Sequence, residues 1–212
     1  MAKKILTASA IVVAVIVIGL VISTMLVMKG PDLSQYEHLK NPQMSLKAGQ
    51  RMLVVEAQGD PNTTGVKAFG LLFHAYYKNV KARGMIAPRA RWPKPFDTPV
   101  NEWVGLYALP LPQTAEIKDL SQSPGYTVSV QTWEYGDVAE ILHVGPYSTE
   151  TPTIDRLKKF ITDQGCQIAG PHEEEYLRGP GMFGKGNPDK YYTIIRYQVK
   201  KAEPKIELKK GK

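Results

Sequence analysis

One pattern is written twice in this chain, and it limits the possible folds more than any other feature. The apolar run Met52 to Gln58 closes in Gly59 and Pro61, and the run Val138 to Val144 closes in Gly145 and Pro146, 86 residues later. Each turn leads into a stretch of helical period, Thr63 to Val80 and Thr151 to Gln164. In the first stretch Val66, Phe69, Gly70, Phe73 and Tyr77 are the expected core face. In the second, Ile154, Leu157, Phe160 and Ile161 share one side, with Asp155, Arg156, Lys158 and Lys159 opposite. Glycines at 84 and 165 suit helix stops. Two strand-like runs then follow in each copy: Arg89 to Trp92 and Glu102 to Pro110, then Glu173 to Leu177 and Tyr191 to Lys200. The reading is an α+β fold of two βαββ repeats related by a pseudo-twofold axis, with halves at about 46–110 and 126–200. Residues 111–125 join the halves, and Tyr126 to Trp133 alternates as a further strand. A cleft at the seam is the expected ligand site.

Ahead of the repeats, Ile5 to Met28 forms 24 residues without a charge, which as a helix would rise about 36 Å against roughly 30 Å of bilayer hydrocarbon. That length exceeds the hydrophobic region of a cleavable signal, so one N-terminal transmembrane helix within residues 1–29 is expected to anchor the chain in the cell membrane. Lys3 and Lys4 against Lys29 favour a cytoplasmic N-terminus and an extracytoplasmic domain. Residues 30–45 read as a polar stalk, 46–200 as the domain and 201–212 as a basic tail. The net charge of +7 comes from the two ends, since residues 30–199 sum to zero. A nucleic-acid-binding face is therefore not expected. One cysteine, Cys166, excludes a disulfide framework and a cysteine-based zinc site. His38, His74, His143 and His172 show no metal-ligand spacing, so neither a metal nor a cofactor is expected. Gly181 to Gly186 lacks the Lys-Ser/Thr of a phosphate loop and reads as a hairpin loop beside the cleft.

The segments Ala139 to Tyr147, Ile168 to Leu177 and Tyr192 to Val199 resemble the gyrase-inhibitor-like (GyrI-like) small-molecule-binding family, which includes the effector-binding domains of AraC-type and MerR-type regulators. The likeness spans roughly 46–200 and is strongest in the second half. It implies two strand-helix-strand-strand units around a pocket with a strand glutamate facing polar or cationic ligands. Carried onto this sequence, that glutamate is Glu174 and the family's tyrosine is Tyr176. Period-two geometry sets His172, Glu174 and Tyr176 on one face of the strand and Glu173, Glu175 and Leu177 on the other. The competing reading of three consecutive glutamates is a solvated edge. Trp92, Trp103, Trp133, Tyr107, Tyr126 and Tyr147 are candidate walls, because flat aromatics offer area and cation-π contact. The first half departs from the family pattern where Trp92 is followed by Pro93, Lys94 and Pro95.

The expected function is membrane-tethered binding of a small, cationic or amphipathic molecule in the cleft, without catalysis. A small-molecule hydrolase is the second reading, with Glu174 as general base and Tyr176 or Tyr147 positioning the substrate. A third is an interaction or sequestering protein using the same surface. The apolar run and stalk stand where a regulator would carry a helix-turn-helix, so the relatives' role in transcription is not carried over.

Overall fold

The computed structural model describes residues 32–81, 86–95, 97–120, 122–180 and 186–203. The expected membrane run at 5–28, most of the hairpin loop at 181–186 and the tail beyond 203 lie outside the described residues. Among the described residues no helix is long and apolar enough to cross a membrane.

A short 3-10 segment, Ser34–Lys40, leads into β1 (Gln43–Lys47) and β2 (Gln50–Gln58), followed by α1 (Pro61–Asn79), β3 (Arg89–Trp92) and β4 (Val104–Pro110). After β5 (Gln122–Ser123) and β6 (Tyr126–Trp133) come β7 (Gly136–Val144), α2 (Thr151–Asp163), β8 (Cys166–Ile168), β9 (His172–Arg178) and β10 (Tyr192–Lys201). The architecture is α+β. The strands make one antiparallel sheet in the order β1-β7-β10-β9-β3-β4-β2-β6-β5, with β8 on the far end of β10.

Register carries the rest of the argument. Val55, Tyr107, Ala90, Glu174, Ile195 and Ile141 are successive cross-strand partners, so one row of six side chains runs across the sheet on a single face. Both helices pack on that face. α1 covers the β2, β4 and β6 end, burying Ala68, Leu72, Ala75 and Tyr76 against Leu53, Val55, Tyr107 and Leu109. α2 covers β7 and β8, burying Ile154, Leu157 and Ile161 against Ala139, Ile141, Ile195 and Tyr197. The central strands β3 and β9 lie between them, and Glu174 stands at the middle of the row.

The chain enters each helix by the same device. Gly59 (φ 126°) and Gly145 (φ 140°) take backbone conformations that L side chains rarely adopt. Asp60 caps α1 by accepting from the Asn62 amide at 2.9 Å. α2 begins after Glu150, whose side chain makes no capping bond.

The expected face of α1 is wrong in phase. Val66, Gly70 and Tyr77 are exposed, and Phe69 and Phe73 are half-buried, while Gly65, Ala68, Leu72, Ala75 and Tyr76 form the buried stripe. The sheet beneath supplies the bulk. A Cβ on Gly65 would stand 3.1 Å from the Tyr107 ring, so small residues must face the aromatic strands and large ones move to the flanks.

The stalk boundary also moves. Leu39 is buried with Leu142, Leu177 and Ile194, and β1 pairs with β7 along its whole length, so residues 33–47 belong to the folded domain. Their polar, Pro-containing sequence gave no periodic signal of this.

Candidate functional site

Strand β9 resolves the run of three glutamates. The strand lies mid-sheet and all three residues are buried, at 2%, 7% and 8% exposure, which rules out a solvated edge. Glu173 and Glu175 face away from the helices, while Glu174 shares the helix-covered face with Ala90 and Ile195.

On the far face, Glu140, Arg196, Glu173 and Arg91 are successive partners of alternating charge, at 2.9, 2.6 and 2.7 Å. Glu175 takes a third hydrogen bond from Arg196 at 3.0 Å and pairs with Arg89 at 3.3 Å. Tyr135 donates to Glu173 at 3.0 Å, and its hydroxyl is pushed up to about 12 by burial and then by the Glu173 charge, offset by the arginines. Burial alone would raise Glu140 and Glu175, but Arg196 with Lys47 holds Glu140, and Arg89 with Arg196 and Lys47 holds Glu175, below the usual carboxylate range. This row fixes the register of β9, and a one-residue slip would swap Glu174 for one of its neighbours.

Glu174 has a different company. Trp92 Nε1 donates to its Oε1 at 3.1 Å, His172 Nε2 lies 3.0 Å from the same oxygen, and the Tyr176 hydroxyl donates to Oε2 at 2.6 Å. His172 Nδ1 is 2.8 Å from the Tyr197 hydroxyl. Around the carboxylate the rings interlock. Trp92 meets Trp103 at 5.6 Å and Tyr107 at 5.7 Å, Phe69 meets Tyr107 and Tyr176, and Tyr147 meets Tyr176 at 5.6 Å and Tyr191 at 5.3 Å. Tyr147 is the exposed member at 38%, with Trp103 and Tyr176 half-buried. Burial first, and then the Glu174 charge, raises the Tyr147, Tyr176 and Tyr197 hydroxyls, so all three stay protonated as donors.

The structure therefore brings Glu174, Tyr176, Trp92, Trp103, Tyr107 and Tyr147 together. Trp92 and Tyr107 are core residues beneath the carboxylate rather than open walls. Trp133 does not join them. It pairs with Gln50, which puts it on the far face against Met52, Val54 and Tyr135, with the Arg91 guanidinium 4.0 Å from its ring. Alternation along β6 decides this, and sequence cannot show which parity faces the helices. Tyr126 packs at the edge of the α1 core.

Sequence reasoning missed Glu150. Its side chain turns inward from the start of α2, is 6% exposed, and its Oε1 has no hydrogen-bond partner among the described residues. Burial, and then the Glu174 charge, pushes its carboxyl up to about 9, with the Thr193 hydroxyl opposing. Thr193 is fully buried and its Oγ1 is likewise unpartnered among the described residues. The available signal was a glutamate where Ser, Thr, Asp or Asn normally caps a helix. His143 pins this corner, with Nδ1 3.0 Å from Thr153 Oγ1 and Nε2 3.2 Å from the Pro146 carbonyl oxygen. Burial lowers the His143 pKa, against the Pro146 carbonyl and the Glu174 charge. One donor atom each from Glu150, His172 and Glu174 lies within 4.8 Å of the others. Spacing along the chain places only His172 beside Glu174, both on β9; Glu150 comes from the start of α2 and could not be read from sequence.

No protein-family model and no curated protein sequence matches this chain. Solved structures do. An uncharacterized conserved protein from Listeria innocua superposes with a TM-score of 0.66 at 22% identity, covering 80% of this chain and 99% of that one. A hydrolase from Listeria innocua gives 0.61 at 20% identity, covering 76% and 92%. The C-terminal domain of EcmrR gives 0.55 at 13% identity, covering 76% and 98%. At these identities the likeness is one of fold alone, shared with the C-terminal domain of EcmrR and with the Listeria proteins.

Proposed function

We propose that this domain binds a small cationic or amphipathic molecule against Glu174, between the two helices, while tethered to a membrane through residues 5–28 with the domain outside the cytoplasm. One observation carries the reading. Glu174 is a buried carboxylate in an aromatic surround, and among the described residues neither lysine nor arginine pairs with it. The other buried glutamates of the sheet, Glu140, Glu173 and Glu175, each have a guanidinium. A buried negative charge without a fixed counterion is costly, and a cation that brings its own apolar skirt lowers that cost while gaining cation-π contact. The orders β7-β10-β9 and β2-β4-β3, each read from the outside inward, support a pseudo-twofold relation between halves, with the ligand at the seam. The test is a thermal-shift panel of lipophilic cations on the full chain. A ligand at 100 times its dissociation constant should stabilise by about 2.7 kcal/mol. Absence of any shift across quaternary ammonium and phosphonium compounds overturns the reading.

A second reading, hydrolysis of a small molecule, is favoured by the placement of two carboxyl groups and the Tyr176 hydroxyl around one point. One structure of like fold is itself a hydrolase. In this reading Glu174 takes a proton from water and Tyr176 or Tyr147 positions the substrate. Turnover by wild type that is lost in Glu174→Gln with binding retained would select it over simple binding.

A further inference from the structure

We infer that Glu150, His172 and Glu174 form a site for one divalent first-row transition-metal ion, set behind the aromatic rings. The inference goes beyond both readings above and depends on neither.

Charge accounting points first to an ion. Among the described residues five glutamates are buried, four on the sheet and Glu150 at the start of α2, and those on the far face are answered by Arg89, Arg91 and Arg196. Glu150 and Glu174 are buried side by side, with no lysine or arginine on either among the described residues. Two neighbouring carboxylates in low dielectric need a cation between them or must give up charge.

Two unpartnered polar atoms then mark the place. Glu150 Oε1 and Thr193 Oγ1 are closed off from solvent without a hydrogen bond among the described residues. Buried polar groups are nearly always paired, and an unpaired one calls for a bound species. The hydroxyl supplies a neutral oxygen near the carboxylate.

The donor geometry suits an ion as well. His172 Nε2 and Glu174 Oε1 stand 3.0 Å apart, close to the separation of two cis ligands each about 2.1 Å from a metal. All three donor atoms lie within 4.8 Å of one another, against roughly 4.4 Å for ligands on opposite sides of an ion, so shifts of a few tenths of an ångström complete the set. The supporting shell is present. Tyr197 meets His172 Nδ1 at 2.8 Å, and with the ring proton held on Nδ1 by that hydroxyl the Nε2 lone pair would be turned to an ion. Trp92 and Tyr176 hold the two oxygens of Glu174. One imidazole with two carboxylates and a hydroxyl is a set for manganese, iron or zinc rather than for calcium or for thiophilic ions.

Chelator-stripped full chain would be titrated with Zn2+ and with Mn2+ by calorimetry, and the metal retained after desalting counted. One ion per chain is expected. Glu150→Gln and His172→Gln should each weaken binding by more than about tenfold, and Tyr197→Phe by about 10- to 100-fold through the outer shell. Asp163→Asn, on the exposed side of α2, should bind like wild type. If Glu150→Gln does not fold, Tyr197→Phe carries the test alone. No retained ion, or wild-type affinity in Glu150→Gln or Tyr197→Phe, overturns the inference. Benzyltrimethylammonium titrated separately keeps the two claims apart. A chain that takes the organic cation but no ion refutes this site alone, and the reverse refutes the organic-cation reading alone.

Discussion

Replacing Arg196 by methionine should be among the most destabilising single changes in this protein, and by an amount that depends on pH in a defined direction. The guanidinium is 2% exposed and donates to Glu140 at 2.9 Å, to Glu173 at 2.6 Å and to Glu175 at 3.0 Å. Methionine fills similar space but leaves three carboxylates sharing Arg89, Arg91 and Lys47. Breaking a buried pair by removing one partner costs about 3–5 kcal/mol, which for a chain of this length lowers the melting temperature by roughly 6–20 °C. The carboxyls Glu140 and Glu175 are depressed in the fold, so in wild type they contribute stability above the unfolded carboxylate pKa, and it is lost as pH falls through the folded value. Without Arg196, burial dominates and their pKa values rise, so protonation relieves the variant as pH falls. The deficit should be largest near neutral pH and shrink toward about pH 4.5, where carboxylates begin to protonate. Urea denaturation of both proteins at the two pH values reads this directly. A neutral-pH deficit below about 1 kcal/mol, or one that does not change with pH, refutes the claim that this row is an interdependent ion network.

Three further outcomes follow from the packing. Leu72→Ala should cost about 2–5 kcal/mol in chemical denaturation, whereas Val66→Lys, on the exposed side of α1, should change stability by less than about 0.5 kcal/mol. The reverse ranking would restore the other helix phase. Gly105→Ala places a Cβ 2.7 Å from the Tyr107 ring and should destabilise by about 1–3 kcal/mol, visible as a lower melting temperature. Tyr147→Ala should weaken a bound lipophilic cation by about 2- to 30-fold while costing less than about 1 kcal/mol of stability, since the ring is partly exposed. Unchanged affinity would remove Tyr147 from the site.

Much of the architecture was legible because local signals agreed with the final pairing. The Gly and Pro turns at 59–61 and 145–146 end β2 and β7, and the amphipathic period of α2 buries the expected Ile154, Leu157 and Ile161. Where the outcome depends on a partner far along the chain, the local signal failed. β1 is polar and short, and its place comes from pairing with β7 rather than from its own residues. The phase of α1 is set by Tyr107, a strand residue more than forty positions away from Gly65 that leaves room only for small side chains. Trp133 was misplaced for want of parity. For His172, Glu174 and Tyr176, alternation along the strand gave the correct common face, while Glu150 and Thr193 needed the three-dimensional register to meet them. The meaning of Glu173 and Glu175 was also hidden, because their arginine partners come from β3 and β10.

The most direct test of the ligand-binding account compares benzyltrimethylammonium affinity for wild type and Glu174→Gln by calorimetry at low and moderate salt. The substitution keeps shape and hydrogen-bonding capacity while removing the charge, so affinity should fall at least about tenfold with the fold intact by circular dichroism. Equal affinity for the two proteins, or a wild type that takes up no cation at millimolar concentration, would contradict a carboxylate-centred binding site between the helices.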